Sequence, residues 1–166
     1  MSAPQLSRRS PRTDVVSGRG QELDPNIAVL QLLTGKWSTI IDRPQFEGRD
    51  GWFDGKQPIQ VCCRPASHGI NRRNVMTLGA RMHRRDPVIA IHMFARDPVA
   101  LSKLREEVDR IIINEGVNPM SGIQYILPAT WPSLPGDFEE KDEGGTVFHD
   151  IYYVECLYYK TIRTGN

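Results

Sequence analysis

The chain has 166 residues, enough for one ordinary hydrophobic core and too few for two. Lys plus Arg number 21 against 20 Asp plus Glu, so no overall field draws the molecule onto nucleic acid or an anionic membrane, and any electrostatic partner must be met locally. No run approaches the roughly 18 apolar residues of a membrane span and no apolar stretch of a secretion signal opens the chain, so a soluble protein made inside a cell is expected.

Residues 1–22 contain Ser, Pro, Arg and Gly with almost no apolar periodicity, the composition of an extended arm that cannot fold by itself. Ordering it would cost about 20–40 kcal/mol of backbone entropy, which neighbouring subunits could offset better than the chain's own surface. The division is therefore an arm over 1–22 and a single domain over 23–166.

Asp24-Pro25 predicts a short helix: Asp caps free amides, Pro fits the first turn, and Ile27, Leu30 and Leu33 recur at helical spacing, with Gly35 as the stop. From Trp37 to Pro58 the chain reads as an irregular loop carrying Trp37, Phe46, Trp52 and Phe53. So long a loop is uncommon unless it binds something; its aromatics either tuck it onto its own core or meet a partner.

Strands are expected at Ile59–Cys63, at Asn74–Met82 and, most clearly, at Ile89–Ala95. In the last, Ile89, Ile91, Met93 and Ala95 share one face and Ala90, His92 and Phe94 the other, a doubly apolar pattern that predicts a central strand. The tetrapeptide Arg-Asp-Pro-Val precedes this strand at Arg85–Val88 and recurs at Arg96–Val99. After the second copy Leu101, Leu104, Val108, Ile111 and Ile112 follow at helical period, with Gly116 as C-cap. The tetrapeptide thus reads as a starter whose downstream period decides what starts. The helix from Pro98 to Glu115 would be about 27 Å long, with Lys103, Glu106, Glu107 and Arg110 as its solvent stripe.

A strand at Ile123–Leu127, a proline-rich then acidic loop or hairpin arm over 128–145, and a long aromatic strand over Thr146–Lys160 complete the order. Fifteen extended residues reach about 50 Å, so this last strand must either bend at a bulge or pair in part outside its own subunit. The fold class is α+β: a small mixed or antiparallel sheet covered by one long helix, with a short N-terminal helix and the arm.

Candidate chemistry is sparse. Cys62, Cys63 and Cys156 make an odd count with two adjacent, a poor disulfide framework that suggests free thiols. With His68, His83, His92 and His149 they lack the paired spacing that clamps zinc, so no metal is expected. His92 and His149 sit on strands among apolar neighbours and read first as core histidines; His149 and Asp150 point to opposite faces, and no nucleophile elbow accompanies them. Ser17-Gly18-Arg19-Gly20 has no preceding strand and fails as a phosphate loop. No catalytic residue and no cofactor is expected. Four arm arginines, Arg8, Arg9, Arg12 and Arg19, would give salt-dependent phosphate binding with a log-log slope of about −3.6.

An apolar strand handing over directly to an amphipathic helix, IAIHMFARDPVALSKLREEVDRII, followed by a long closing strand, HDIYYVECLYYK, resembles the tail-terminator and tail-completion (neck) proteins of tailed viruses over residues 24 to 162. The resemblance implies a non-enzymatic, ring-forming structural virion protein, made in the host cytoplasm, commonly hexameric, that joins the tail tube protein to the neck or head-completion protein. It implies no cofactor, no membrane and at most non-specific nucleic acid. On that reading the subunit-interface candidates are Arg8, Arg9, Arg12, Trp52, Phe53, Tyr152, Tyr153, Tyr158 and Tyr159. An Arg-rich arm departs from the plainest family members and leaves open the level in the tail or neck. The alternative is a small nucleic-acid-binding module using the arm and Arg72–Arg85; a hydrolase using His92 or His149 is a third.

Overall fold

Among the described residues, two aspartates start two helices. In the computed structural model, which describes residues 24–48, 53–66, 82–129, 138–142 and 145–161, Asp24 accepts from the amide of Asn26 at 2.9 Å and caps α1 (Pro25–Lys36). Asp97 accepts from the amide of Val99 at 3.2 Å and caps α2 (Pro98–Glu115). Each carboxylate satisfies an amide that the first turn leaves without a helical partner, and the following proline has no N–H to satisfy. Gly35 does not stop α1, which runs on to Lys36; an isolated glycine costs a helix only about 1 kcal/mol. The arm, Trp52 and all but the end of the strand expected at 74–82 lie outside the described residues.

Among the described residues, eight strands form one curled, mixed sheet. They are β1 (Gln45–Glu47), β2 (Ile59–Pro65), β3 (Met82–Arg85), β4 (Val88–Ala95), β5 (Val117–Met120), β6 (Ile123–Pro128), β7 (Phe138–Asp142) and β8 (Gly145–Thr161). Six run in the order β1-β2-β4-β8-β6-β5, and β3 and β7 pair with β8. The β1–β2 pair is parallel and the others antiparallel. As the doubly apolar pattern predicts, β4 is central, between β2 and β8. Two short strands, β1 inside the expected loop and β5 directly after α2, were not expected from the sequence.

The first Arg-Asp-Pro-Val stands where β4 begins, as expected, but it also interrupts a longer ribbon. Residues 82–85 and 88–95 pair with β8 in one unbroken register, from Met82 opposite Thr161 to Ala95 opposite Phe148. Asp86-Pro87 is a break inside this ribbon, where proline cannot donate to the ladder, and the Cys156 amide still donates to the Pro87 carbonyl at 3.0 Å. The second copy is a helix start, as expected.

The overlong β8 takes its partners from its own chain and changes them along its length. On one side β4 pairs with 148–155 and β3 with 158–161; on the other β7 pairs with 145–149 and β6 with 154–158. Strand pairing outside the subunit is therefore not needed to accommodate its length.

Both helices cover one sheet face. The core joins Ala28, Val29, Leu32 and Leu33 of α1 and Leu101, Leu104, Val108, Ile111 and Ile112 of α2 to Val61, Cys63, Ile89, Ile91, Met93, Ile126, Val154 and Cys156. At about 1.5–3 kcal/mol for each large apolar side chain, this contact is what holds α2 against the sheet. Glu107 departs from the expected solvent stripe: it is 5% exposed, accepting from the Ser38 amide at 2.7 Å and from Arg110. The guanidinium of Arg110 holds its carboxyl below the usual range against the opposing effect of burial.

Gly116 ends α2 for a different reason than a left-handed cap, since its φ of −78° is ordinary. A Cβ here would lie 2.1 Å from the carbonyl oxygen of Ile126 and 2.3 Å from that of Ile112, and Gly116 accepts from the Ile126 amide at 2.6 Å. Gly116→Ala is expected to destabilise the fold by about 2–4 kcal/mol, because backbone on both sides would have to move. Urea denaturation of the two proteins measures this, and a difference below about 0.5 kcal/mol would contradict the close approach.

Candidate functional site

Strict alternation along β8 sends consecutive residues to opposite faces. Asp150, Tyr152, Val154, Cys156 and Tyr158 point to the helices, and Val147 and His149 to the far side. The expected opposition of His149 and Asp150 is therefore found.

On the helix face, Asp150, 4% exposed, pairs with Arg105 of α2 and accepts from the Ile151 amide at 2.8 Å. One turn along, Asp109 accepts from the Tyr152 hydroxyl at 2.6 Å. Burial, reinforced by that bond, pushes the Tyr152 phenol well above its usual range, so it is a hydrogen-bond donor here. The Arg105 side chain is 51% exposed against 6% for that of Asp150, which makes the pair asymmetric. Removing the arginine strands a buried carboxylate, whereas neutralising the carboxylate leaves an arginine that water can solvate. Arg105→Ala is expected to cost about 2–3 kcal/mol, Asp150→Asn about 1 kcal/mol, and the double variant less than their sum. A denaturation-based double-mutant cycle with additive energies would refute the coupling.

On the far face, three strand residues, His92, Phe94 and His149, and one loop residue, Phe53, form a ring stack. Cys62 is the cross-strand partner of His92, and Phe94 that of His149. His92 Nδ1 lies 2.9 Å from His149 Nε2, so one bridging proton joins the rings. His149 stacks on Phe94 with centroids 4.3 Å apart, Phe94 on Phe53 at 5.1 Å, and the Arg96 guanidinium lies 5.4 Å from the centre of the Phe53 ring. Burial, then the neighbouring His149 and Arg64, push the His92 imidazole down to about 4. It is neutral at pH 7.

The cysteines do not add a nucleophile. Burial pushes the Cys62 and Cys156 thiols up to about 12 and Cys63 further, which keeps them protonated and unreactive. Among the described residues no group of three His, Cys, Asp or Glu side chains is placed to hold a metal ion.

The residues nominated from the sequence are dispersed. Arg8, Arg9, Arg12 and Trp52 lie outside the described residues. Phe53 is half-buried in the ring stack; Tyr152 and Tyr158 are each 8% exposed within the core; Tyr153 and Tyr159 are half-buried. Trp37 and Phe46, from the same loop, pack edge to face at 5.4 Å, so these aromatics do tuck the loop onto the core. Sequence reasoning missed the large exposed aliphatics: Ile40 at 89%, Val99 at 60%, Ile113 at 59% and Val117 at 65%. Val99 and Ile113 lie fourteen residues apart, near-integral helical turns, which places them on one outward stripe of α2. That period is visible in the sequence once the inward stripe is assigned.

No protein-family model matches the chain, and a search of curated proteins finds no match.

Proposed function

We propose that the chain is a structural virion protein, a ring-forming tail terminator or tail-completion subunit that joins tail tube to neck by matched surfaces and without chemistry. The observation that carries this reading is the connection at its centre: β4, apolar on both faces, passes through Arg96 and Asp97 directly into α2. The long β8 then returns beside β4 as the closing strand. This is the strand, helix and closing-strand order on which the resemblance rests.

Two further features support assembly. The buried charged groups described above are engaged in holding α2 to the sheet and to the segment that follows α1, which is a scaffold's use of them. Val99, Ile113 and Val117 expose branched aliphatic side chains along and beyond α2, and such side chains gain most from a partner that removes them from water. The sheet edges are less suited to strand addition: β1 has three residues, and β5 contains Pro119 and Asn118 at φ 48° and shifts register against β6. These features blunt an edge, so contact between subunits is assigned to side chains of α2 and the β5 end.

Native mass spectrometry of the full chain at micromolar concentration, alone and with tube and neck proteins, tests the reading. A closed ring, hexameric on the family's pattern, is expected. Ile113→Lys together with Val117→Lys should weaken assembly at least tenfold while leaving the free energy of unfolding within about 0.5 kcal/mol, as surface changes do. A strict monomer that ignores both partners would overturn the proposal.

A further inference from the structure

Segment 53–58 leads from the Phe53 ring into β2 and carries Asp54-Gly55, the one Asp-Gly pair among the described residues. Both sides of this pair are tied. The Asp54 amide donates to Gln60 Oε1 at 3.2 Å, and the Lys56 amide donates to Asp54 Oδ1 at 2.9 Å. The second bond folds the Asp54 carboxyl forward across Gly55. The Gly55 amide, between the two, has no hydrogen-bond partner among the described residues, and Asp54 is exposed to water.

We propose that Asp54-Gly55 is a site of spontaneous backbone modification, at which the Asp54 carboxyl closes onto the Gly55 nitrogen and reopens to leave isoaspartate at position 54.

The chemistry needs a carboxyl carbon turned toward the next residue's nitrogen and no side chain crowding that nitrogen. Gly55 has a φ of 73°, in the left-handed region that side chains disfavour. The turn that brings the carboxyl forward thus calls for the residue that leaves its nitrogen bare. The Gly55 nitrogen attacks Asp54 Cγ; its proton and one from solvent convert Oδ2 to water, which departs as the N–Cγ bond closes a five-membered imide. The Lys56 N–H lies on Oδ1, where negative charge develops during the attack. Water then opens the ring. Attack at Cγ restores aspartate, whereas attack at the main-chain carbonyl carbon of Asp54 leaves the chain running through Cβ and Cγ, one methylene longer, with a free α-carboxylate. Water is the only other reactant.

The fold withholds the same step from other described aspartates. Asp24, Asp86 and Asp97 each precede proline, whose nitrogen has no hydrogen to lose. Asp109 lies inside α2, where the next amide is committed to the helix. Asp150 is 4% exposed, lies in β8 and pairs with Arg105. Segment 53–58 is neither helix nor strand, so its torsions reach the imide geometry without breaking a ladder. The product changes the segment's span. The added methylene falls between Phe53, stacked on Phe94, and Pro58, whose carbonyl accepts from the Arg96 amide at 3.3 Å, so one of these two anchors must give.

Storage of the full chain for weeks, folded in buffer and unfolded in urea, followed by peptide mapping with electron-transfer fragmentation, tests this. The fragmentation separates Asp54 from Asp50, whose pair with Gly51 lies outside the described residues. Isoaspartate at position 54 should form in the folded chain within about threefold of its rate in urea, as in a segment whose opening costs little. In Asp54→Asn the same ring closes with ammonia as the leaving group. The amide at position 54 should therefore be lost from the folded variant at least about tenfold faster than isoaspartate appears in wild type. A folded chain whose Asp54 stays intact while the unfolded chain isomerises, absence of isoaspartate at position 54 in both states, or a folded Asp54→Asn that keeps its amide while the unfolded variant loses it would each overturn the proposal.

Discussion

The ladder that residues 82–95 make with 148–161 sets the position of everything else. It is one antiparallel ribbon, tolerant of a proline because the Pro87 carbonyl still accepts from Cys156. With β4 and β8 locked in register, β2 adds to the outer side of β4 and β6 to the outer side of β8. The α2 helix follows β4 after a two-residue link and lies back over the strands it left. The apolar residues of β4 on its helix face, Ile89, Ile91 and Met93, are all fully buried, so burial and backbone pairing favour the same register. A one-residue slip would turn the whole set to the far side.

Polar contacts then fix how α2 lies, a choice that apolar packing alone makes loosely. Arg105 and Asp109 reach down to Asp150 and Tyr152 on β8. From the α1 side, Glu107 receives the Ser38 amide, and Arg110 reaches the Lys36 carbonyl at 2.9 Å. Two contacts on each flank resist both rotation of α2 about its axis and sliding along it. The stripe they leave outward is the one that carries Val99 and Ile113. A helix set by the buried network thus presents a defined aliphatic surface, which is what a subunit that works by matched surfaces requires.

Much of this was legible in the sequence where one element decides its own form. The helix from Pro98 to Glu115 follows from Asp97, Pro98 and the spacing of its leucines and isoleucines, and the two faces of β4 follow from alternation. What could not be read are features that depend on register between distant segments. Arg85-Asp86-Pro87-Val88 looks locally like an entrance; only pairing with Glu155 to Tyr158 makes it an interruption. The strand Val117–Met120 has no alternation to announce it and is placed by the close approach of Gly116 to Ile126. Glu107 sits in a polar stripe by sequence, and its burial depends on an amide sixty-nine residues away. His92 and His149 each read as core histidines; that they meet follows from the pairing of Phe94 with His149. The aromatics of β8 invited a role outside the chain because residue type does not distinguish a core from an interface, and Tyr152 and Tyr158 are core.

Consecutive residues of β8 serve opposite faces, and this couples the two halves of the molecule. His149 closes the ring stack on the far side while Asp150, its neighbour, anchors α2 on the near side. A histidine in place of Asp150 beneath α2 would set a cation-forming ring against Arg105. The pleat keeps them apart as long as the ladder with β4 holds its register. A strand paired on both sides, with β4 and with β7, thus stands between the ring stack of the far face and the bond to Arg105.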